Sequence, residues 1–156
     1  MEEYTKFRNE NRGYMKLRVW HKAIELYKLV CRIVYKDNKI DFKLRAQIVD
    51  AAQSVSSNIS EGYSRRSINE YIQQVYIALG SLSETLTRAV AFKAAEQISP
   101  EQFTELDTLH YGLRITSGNC WSAWKKNATT ARGSLGLQKI LKHSIRRKLR
   151  IDGSME

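Results

Sequence analysis

Apolar residues recur at steps of three and four along four successive segments of this chain, and this spacing limits the possible folds more than any other feature. The segments begin near Tyr14 and Phe42 and just after Ser67 and Ser99, and each carries one apolar stripe. Four amphipathic helices with short connections bury their stripes by packing against one another. The sequence therefore predicts an all-α protein with an antiparallel up-down four-helix bundle over residues 14–127.

Two of these helices begin with recognisable capping residues. Ser67 followed by Glu70 is typical of a capping box, in which each side chain accepts a hydrogen bond from the other residue's backbone amide. Ser99 and Gln102, with a proline at the first helical position between them, predict the same arrangement at helix four. Gly62, near the end of helix two, predicts a left-handed cap.

Composition defines the regions outside the bundle. Residues 1–13 are polar and predict a flexible N-terminus, and residues 128–136 are rich in Thr, Ala, Gly and Ser, which is typical of a linker. Residues 137–156 form a basic amphipathic tail, because an apolar residue recurs every four positions from Leu137 to Leu149. The predicted fold therefore includes a basic C-terminal helical extension.

The net charge of +10 is concentrated in one stretch of the chain. Residues 108–151 hold ten Lys/Arg and no Asp or Glu, whereas residues 1–107 hold 16 basic and 14 acidic side chains. A segregated positive field attracts polyanions, and we expect nucleic acid, either RNA or DNA. The alternative is a solvated tail that keeps the protein soluble. The candidate phosphate-binding residues are Lys125, Lys126, Arg132, Lys139, Lys142, Arg146, Arg147, Lys148 and Arg150.

Neither a catalytic constellation nor a metal-binding motif stands out. None of the three histidines lies in an HxxE or HExxH pattern, and the serines have no nearby histidine base. The sequence therefore predicts a protein that is not an enzyme and that uses no metal or cofactor. The start does not resemble a signal peptide, and no apolar run approaches the ~20 residues of a membrane span. We accordingly expect a cytoplasmic protein with no membrane partner.

Three segments resemble a known family. Val19–Leu26, Ser57–Arg65 and Tyr76–Glu84 resemble the four-helix-bundle proteins that are encoded by intervening sequences in bacterial large-subunit ribosomal RNA genes. This family is similar in fold to the accessory variability determinant (Avd) of diversity-generating retroelements, a basic pentameric bundle that works with a reverse transcriptase and its template RNA. The resemblance implies a non-enzymatic homopentamer whose partner is nucleic acid or a nucleic-acid enzyme.

Polar and glycine residues in these segments form a structural motif. Asn58 lies beside the apolar stripe of helix two, and we expect it to set the register of helices two and three, with Glu61 or Glu84 as its partner. A small-ligand pocket is the functional alternative. Gly80, inside helix three, predicts close helix packing. Gly62 completes the motif.

Aromatic side chains outside the narrow apolar stripes predict an oligomer interface. The candidates are Tyr27, Tyr76 and Trp121. Trp121 also lies close to Lys125 and Lys126, so stacking on nucleic-acid bases is an alternative to packing for this side chain.

Together these observations leave two hypotheses. The first is a non-enzymatic, oligomeric nucleic-acid-binding accessory protein that serves the reverse transcriptase of a diversity-generating retroelement. The second is a structural or protein-interaction bundle encoded in a ribosomal RNA intervening sequence, with the basic tail docking on an acidic partner.

Overall fold

The computed structural model describes residues 10–36 and 39–114. The described residues form a short 3-10 helix and four α-helices, without a strand, which confirms the predicted all-α bundle. They are the 3-10 helix Glu10–Lys16, α1 (Arg18–Lys36), α2 (Phe42–Ser64), α3 (Ile68–Ala94) and α4, which begins at residue 100 and is helical through residue 114. The chain divides into two units, Met1–Ser117 and Gly118–Glu156, and these helices belong to the first.

Helices α2 and α3 run antiparallel. Near the start of α2, Gln47 Oε1 accepts from Arg88 Nη1 near the end of α3 at 2.8 Å. Near the end of α2, Glu61 Oε1 accepts from Gln74 Nε2 near the start of α3 at 3.2 Å. The pairing order is thus reversed along the two helices.

Contacts between α1 and α4 follow the same reversed order. Lys22 Nζ donates to the carbonyl of Gly112 at 3.4 Å, and Arg32, further along α1, pairs with Glu105, earlier in α4. α1 and α4 are therefore also antiparallel to each other.

All four helices and the connection before α4 contribute to one apolar core. Its largest fully buried apolar side chains are Leu26, Ile48, Leu82, Leu106, Leu113, Val30 and Val34. Burying a side chain of this size stabilises the fold by about 1.5–3 kcal/mol. Thr85 is also fully buried, and its hydroxyl donates to the Ser81 carbonyl at 2.9 Å, so no polar group is left unsatisfied there.

Both predicted capping boxes are confirmed. The Ser67 amide donates to Glu70 Oε2 at 3.0 Å and the Glu70 amide donates to Ser67 Oγ at 3.3 Å. The hydrogen bonds from Ser67 hold the pKa of the Glu70 carboxyl below its usual range. At α4, the Ser99 amide donates to Gln102 Oε1 at 2.8 Å, and the Gln102 amide donates to Ser99 Oγ at 3.2 Å.

The first helix begins later than its periodicity predicts. The prediction placed its start near Tyr14, which instead lies in the 3-10 helix before α1. Tyr14 packs edge-on against Trp20, with 5.5 Å between ring centroids, and against Tyr63, at 6.3 Å. His21 Nε2 lies 2.7 Å from the Met15 carbonyl and hydrogen-bonds with it. These contacts hold the 3-10 helix against the bundle.

The predicted left-handed cap at Gly62 is wrong. α2 continues to Ser64, and Arg65 ends it in an extended conformation, with its amide donating to the Gly62 carbonyl at 3.1 Å. Gly62 has another role, because a Cβ atom there would lie only 2.9 Å from Gln74 Cβ and 3.3 Å from the Tyr71 carbonyl oxygen. The glycine permits α3 to pass close to α2.

The last residues predicted for helix four, the linker 128–136 and the tail 137–156 lie outside the described residues. None of the helices in the described part of the chain combines the length and the apolar character that crossing a membrane requires.

Candidate nucleic-acid interface

The predicted phosphate-binding residues, from Lys125 to Arg150, and the interface candidate Trp121 lie outside the described residues. Within residues 10–36 and 39–114, no group of three or more His, Cys, Asp or Glu side chains is arranged to hold a metal ion. The described residues do include the charged side chains of the bundle and the predicted structural motif.

Helix α1 accounts for the net positive charge of the described bundle. It carries five Lys/Arg and one acidic residue, Glu25, while the other described residues hold ten basic and ten acidic side chains. The sequence analysis missed this helix, because summing over residues 1–107 cancels its charge against acidic residues elsewhere. The basic residues of α1 are Arg18, Lys22, Lys28, Arg32 and Lys36.

These five side chains lie on one side of α1 and are called the α1 basic row. At 3.6 residues per turn they fall within an arc of about 120°, which also contains Glu25 and borders the buried stripe, and they span about 27 Å from Arg18 to Lys36. Lys22 is half-buried and the other four are exposed. A row of this length can follow several phosphates of one nucleic-acid strand.

Part of the α1 basic row borders an open groove of about 1090 Å³ between α1 and α4. Lys22, Lys28 and Arg32 line it together with three carboxylates, Glu25, Glu101 and Glu105. A hydrogen bond from the Ser99 side chain lowers the pKa of the Glu101 carboxyl below its usual range. The groove is therefore open and charge-balanced. A phosphate group at α1 would meet a weakly attractive row of basic side chains next to carboxylates, and not an enclosed pocket.

Asn58 does not make the interhelical contact that the sequence predicts. It is half-buried, and its Nδ2 donates to the Ser54 carbonyl at 2.7 Å, one turn earlier in the same helix. Glu61, one of its two predicted partners, accepts instead from Gln74 of α3. The polar cross-link between α2 and α3 at this level is therefore made by Glu61, because that side chain reaches across the close approach at Gly62.

Glu84, the other predicted partner, lies on the outer side of α3. Its Oε1 accepts from Arg88 Nη2 at 2.7 Å and from Arg88 Nε at 3.0 Å, one turn later in the helix. Arg88 also donates to Gln47 of α2. Glu84 therefore belongs to a second cross-link between the helices, with its charge balanced by the guanidinium.

Gly80 does not mediate close packing within the described bundle. It is exposed, and a Cβ atom built on it would meet no atom within 4 Å. α3 contacts the core through another side, where Ala78, Leu82 and Ala89 are buried. Gly80 therefore sits in the middle of the outward surface of α3.

The two described interface candidates differ in environment. Tyr27 is half-buried against the core, and its hydrogen bond with Cys31 is the main cause that raises the pKa of its hydroxyl. Tyr76 is 55% exposed on α3. Their role in an oligomer stays a prediction, but Tyr76 is the one that a partner could cover.

The outward surface of α3 is a second feature that the sequence analysis missed. Its signal is the stretch Tyr71–Ser83, thirteen residues without a Lys, Arg, Asp or Glu. A helix with no charge over that length presents an uncharged outer side. The exposed residues of this surface, called the α3 face, are Gln73, Tyr76, Ile77, Gly80, Ser83, Glu84, Thr87, Val90 and Ala91.

These features define a small helical bundle with one basic helix and one nearly uncharged outer face. The chain belongs to the 23S rRNA-intervening sequence protein family, whose model matches residues 15–114. This match includes all three segments that carry the resemblance and confirms the predicted family. The predicted relationship to Avd stays a prediction.

The fold is also similar to a solved structure. It is the 1.70 Å crystal structure of a protein with unknown function from the S23 ribosomal protein family of Bacteroides thetaiotaomicron. The TM-score is 0.54 with 21% sequence identity, over 71% of this chain and 99% of that chain. At this identity the similarity supports the fold alone. No curated protein sequence matches the chain.

Proposed function

We propose that this protein is a non-enzymatic nucleic-acid-binding protein that acts as an assembly of several copies. The observation that carries the proposal is the segregation of charge. Outside α1 the described bundle is balanced, whereas residues 108–151 hold ten Lys/Arg without an acidic residue. Charge arranged in this way binds phosphates and positions a strand without reading its sequence.

In this proposal the basic stretch supplies most of the affinity and the α1 basic row adds weak contacts. The balanced remainder of the bundle acts as a scaffold. Several copies in one assembly would present several basic segments to one strand, and linked weak sites bind far more tightly than each site alone.

The proposed protein partner is a reverse transcriptase. Its support is the resemblance to Avd, a bundle that works with a reverse transcriptase and its template RNA. The resemblance also implies a ring of five copies. A reverse-transcriptase gene and a template repeat beside this gene would support the partnership, and a neighbourhood within a ribosomal RNA operon would favour the structural alternative.

The test uses the full chain and a fluorescent single-stranded RNA, with binding measured by anisotropy between about 50 and 200 mM salt. The test variant carries Lys139→Gln, Lys142→Gln and Lys148→Gln. If each lysine contacts one phosphate, the slope of log K against log salt should flatten by about 2. Affinity at low salt should fall at the same time.

A matched control removes an equal number of positive charges from the bundle, through Lys39→Gln, Lys43→Gln and Lys93→Gln. All three lysines are exposed and lie outside α1. The control should retain the wild-type slope, and circular dichroism should show that both variants remain folded. Equal losses in the two variants would mean that only total charge matters. Unchanged binding in the test variant would instead favour the protein-interaction hypothesis.

A further inference from the structure

Tyr111 of α4 exposes an aromatic ring on the outer side of the bundle. It is 65% exposed, and among the described large apolar side chains only Phe42 is more exposed. α4 packs on the core through its other side, where Leu106, His110 and Leu113 are buried. The ring of Tyr111 is therefore not needed to fill the core, and its flat surface is accessible to a ligand.

The charge of α4 changes sign at Tyr111. Glu101, Glu105 and Asp107, all exposed, precede it, whereas no Asp or Glu follows before residue 152. Arg114, exposed and one turn after Tyr111, is the first Lys or Arg of the acid-free stretch 108–151. A polyanion is repelled from the first part of α4 and attracted beyond it. Tyr111 thus lies at the boundary of the surface that favours phosphate.

Tyr111 also lies at the edge of the groove between α1 and α4. Thr108, three residues earlier, and Gly112, the next residue, both line this groove. Residues three apart share one side of a helix, so Tyr111 follows Thr108 along the same rim. Lys22 of the α1 basic row crosses the groove at this level and donates to the Gly112 carbonyl at 3.4 Å. Cations from two helices, Arg114 and Lys22, therefore lie near the ring.

We propose that Tyr111 is a stacking platform for an unpaired base of a nucleic-acid strand, with Arg114 and Lys22 near the adjoining phosphates. An aromatic ring next to cations is how many proteins hold single strands, because every base has a face that can stack. The bases of a duplex already stack on one another, so the ring selects a single strand. This inference rests on the proposed function and adds to it the form of the nucleic acid and one place where a base is held.

The first test uses the full chain and two fluorescent probes of equal charge. One is a single-stranded RNA, and the other has the same backbone and length but no bases. Tyr111→Ser should weaken RNA binding at least about fivefold, the smallest effect of losing one stacked base, and should leave binding of the abasic strand unchanged. The slope of log K against log salt should stay as in wild type, because the ring is uncharged. Tyr111→Phe keeps the ring and should bind RNA like wild type.

Phe42→Ser is the matched control. Phe42 is 73% exposed, and it lies outside the acid-free stretch, between Asp41 and Lys43. This variant should bind RNA like wild type, and circular dichroism should show that both serine variants remain helical. Equal losses for RNA and for the abasic strand in Tyr111→Ser would overturn the proposal, as would weak RNA binding by Tyr111→Phe. Equal effects of Tyr111→Ser and Phe42→Ser would overturn it too.

A second test changes the charges on either side of the ring. Arg114→Gln should weaken binding of both probes and flatten the salt slope by about 0.7, the equivalent of one phosphate contact. Asp107→Asn should strengthen binding of both probes, because it removes a carboxylate one turn before Tyr111. Unchanged binding in both variants would mean that the strand does not reach this part of α4.

Stacking itself is measured with a fluorescent adenine analogue in the RNA, whose emission is quenched when it stacks. Wild type and Tyr111→Phe should quench it, and Tyr111→Ser should quench it less. Equal quenching by all three proteins, or none by wild type, would refute a stacking role.

These outcomes keep the inference separate from the proposed function. A folded wild type that binds neither probe refutes the proposed function. A wild type that binds RNA with a steep salt dependence, together with unchanged binding in Tyr111→Ser, refutes the stacking site alone.

Discussion

Helices α1 and α3 each bury one side and expose the other, yet their exposed sides have opposite character. The exposed side of α1 carries the basic row and one carboxylate, whereas the α3 face carries one neutralised charge over a similar length. Their buried sides are alike, since Leu26 and Val30 of α1 and Leu82 and Ala89 of α3 join the same core.

The difference shows that the fold depends on the buried sides of the two helices and leaves their exposed sides free to differ. Core packing requires only an apolar stripe at helical spacing, and both helices meet this requirement. The outer sides are free to vary without loss of the fold. Under the proposed function the basic outer side of α1 contacts nucleic acid, whereas the outer side of α3 offers almost no charge for such a contact.

The largest expected effect separates the inner and outer sides of α3. Leu82→Ala removes a side chain that is 2% exposed and should lower the free energy of unfolding by about 2–5 kcal/mol, through lost burial and the cavity left behind. Val90→Ala, at a residue that is 49% exposed, should change the monomer by no more than about 0.5 kcal/mol. Urea unfolding measures both. Similar losses would mean that the α3 face is part of the folded core.

Two glycine-to-alanine variants should have effects of opposite sign. Gly62→Ala should destabilise the bundle by about 1–3 kcal/mol, because the new Cβ would lie 2.9 Å from Gln74 Cβ. Gly80→Ala meets no atom and should stabilise the monomer by up to about 1 kcal/mol, since alanine favours a helix. Urea unfolding is measured at concentrations where the chain is monomeric. Destabilisation by Gly80→Ala under those conditions would contradict an open α3 face.

The helix starts and the bundle could be predicted from sequence because their causes are local or periodic. Ser67 and Glu70 lie within one turn, so their capping box follows from residue type and spacing alone. Gly62 and Gly80 could not be distinguished in this way. Both are single glycines in helices, and only the position where α3 approaches α2 makes one crowded and leaves the other open. The partner of Asn58 was missed for the same reason.

The two outer surfaces were missed for a different reason. The net charge of residues 1–107 hides α1, because that sum cancels the basic residues of α1 against acidic residues elsewhere, including those of α4. The uncharged stretch Tyr71–Ser83 is visible in the sequence, but only the burial of Ala78 and Leu82 shows which of its sides faces outward.

A smaller effect tests whether the α1 basic row takes part in nucleic-acid binding. Lys28→Gln with Lys36→Gln should flatten the salt dependence of RNA binding by at most about 1.4, the equivalent of two phosphate contacts. Lys43→Gln with Lys93→Gln removes the same charge outside α1 and should leave the slope unchanged. Anisotropy titrations at several salt concentrations measure both variants. Identical slopes in the two double variants would mean that the α1 basic row makes no phosphate contacts and that binding depends on residues 108–151.

The smallest expected effect concerns His110, a buried side chain of α4. It is 6% exposed, and its Nε2 has no hydrogen-bond partner among the described residues. Burial lowers the pKa of its imidazole and the nearby Arg114 lowers it further, while Asp107 raises it in part. The unfolded chain therefore takes up a proton at higher pH than the folded chain does.

Stability from His110 should accordingly be complete above the unfolded pKa of about 6.5 and should decrease as the pH falls below that value. Glu70 does not interfere, because its lowered pKa places its own loss of stability at still lower pH. The urea midpoint of wild type should fall between about pH 7.5 and 5.5, across the unfolded histidine pKa, and His110→Gln should reduce this change. An unchanged pH dependence in His110→Gln would mean that the folded bundle tolerates the imidazolium.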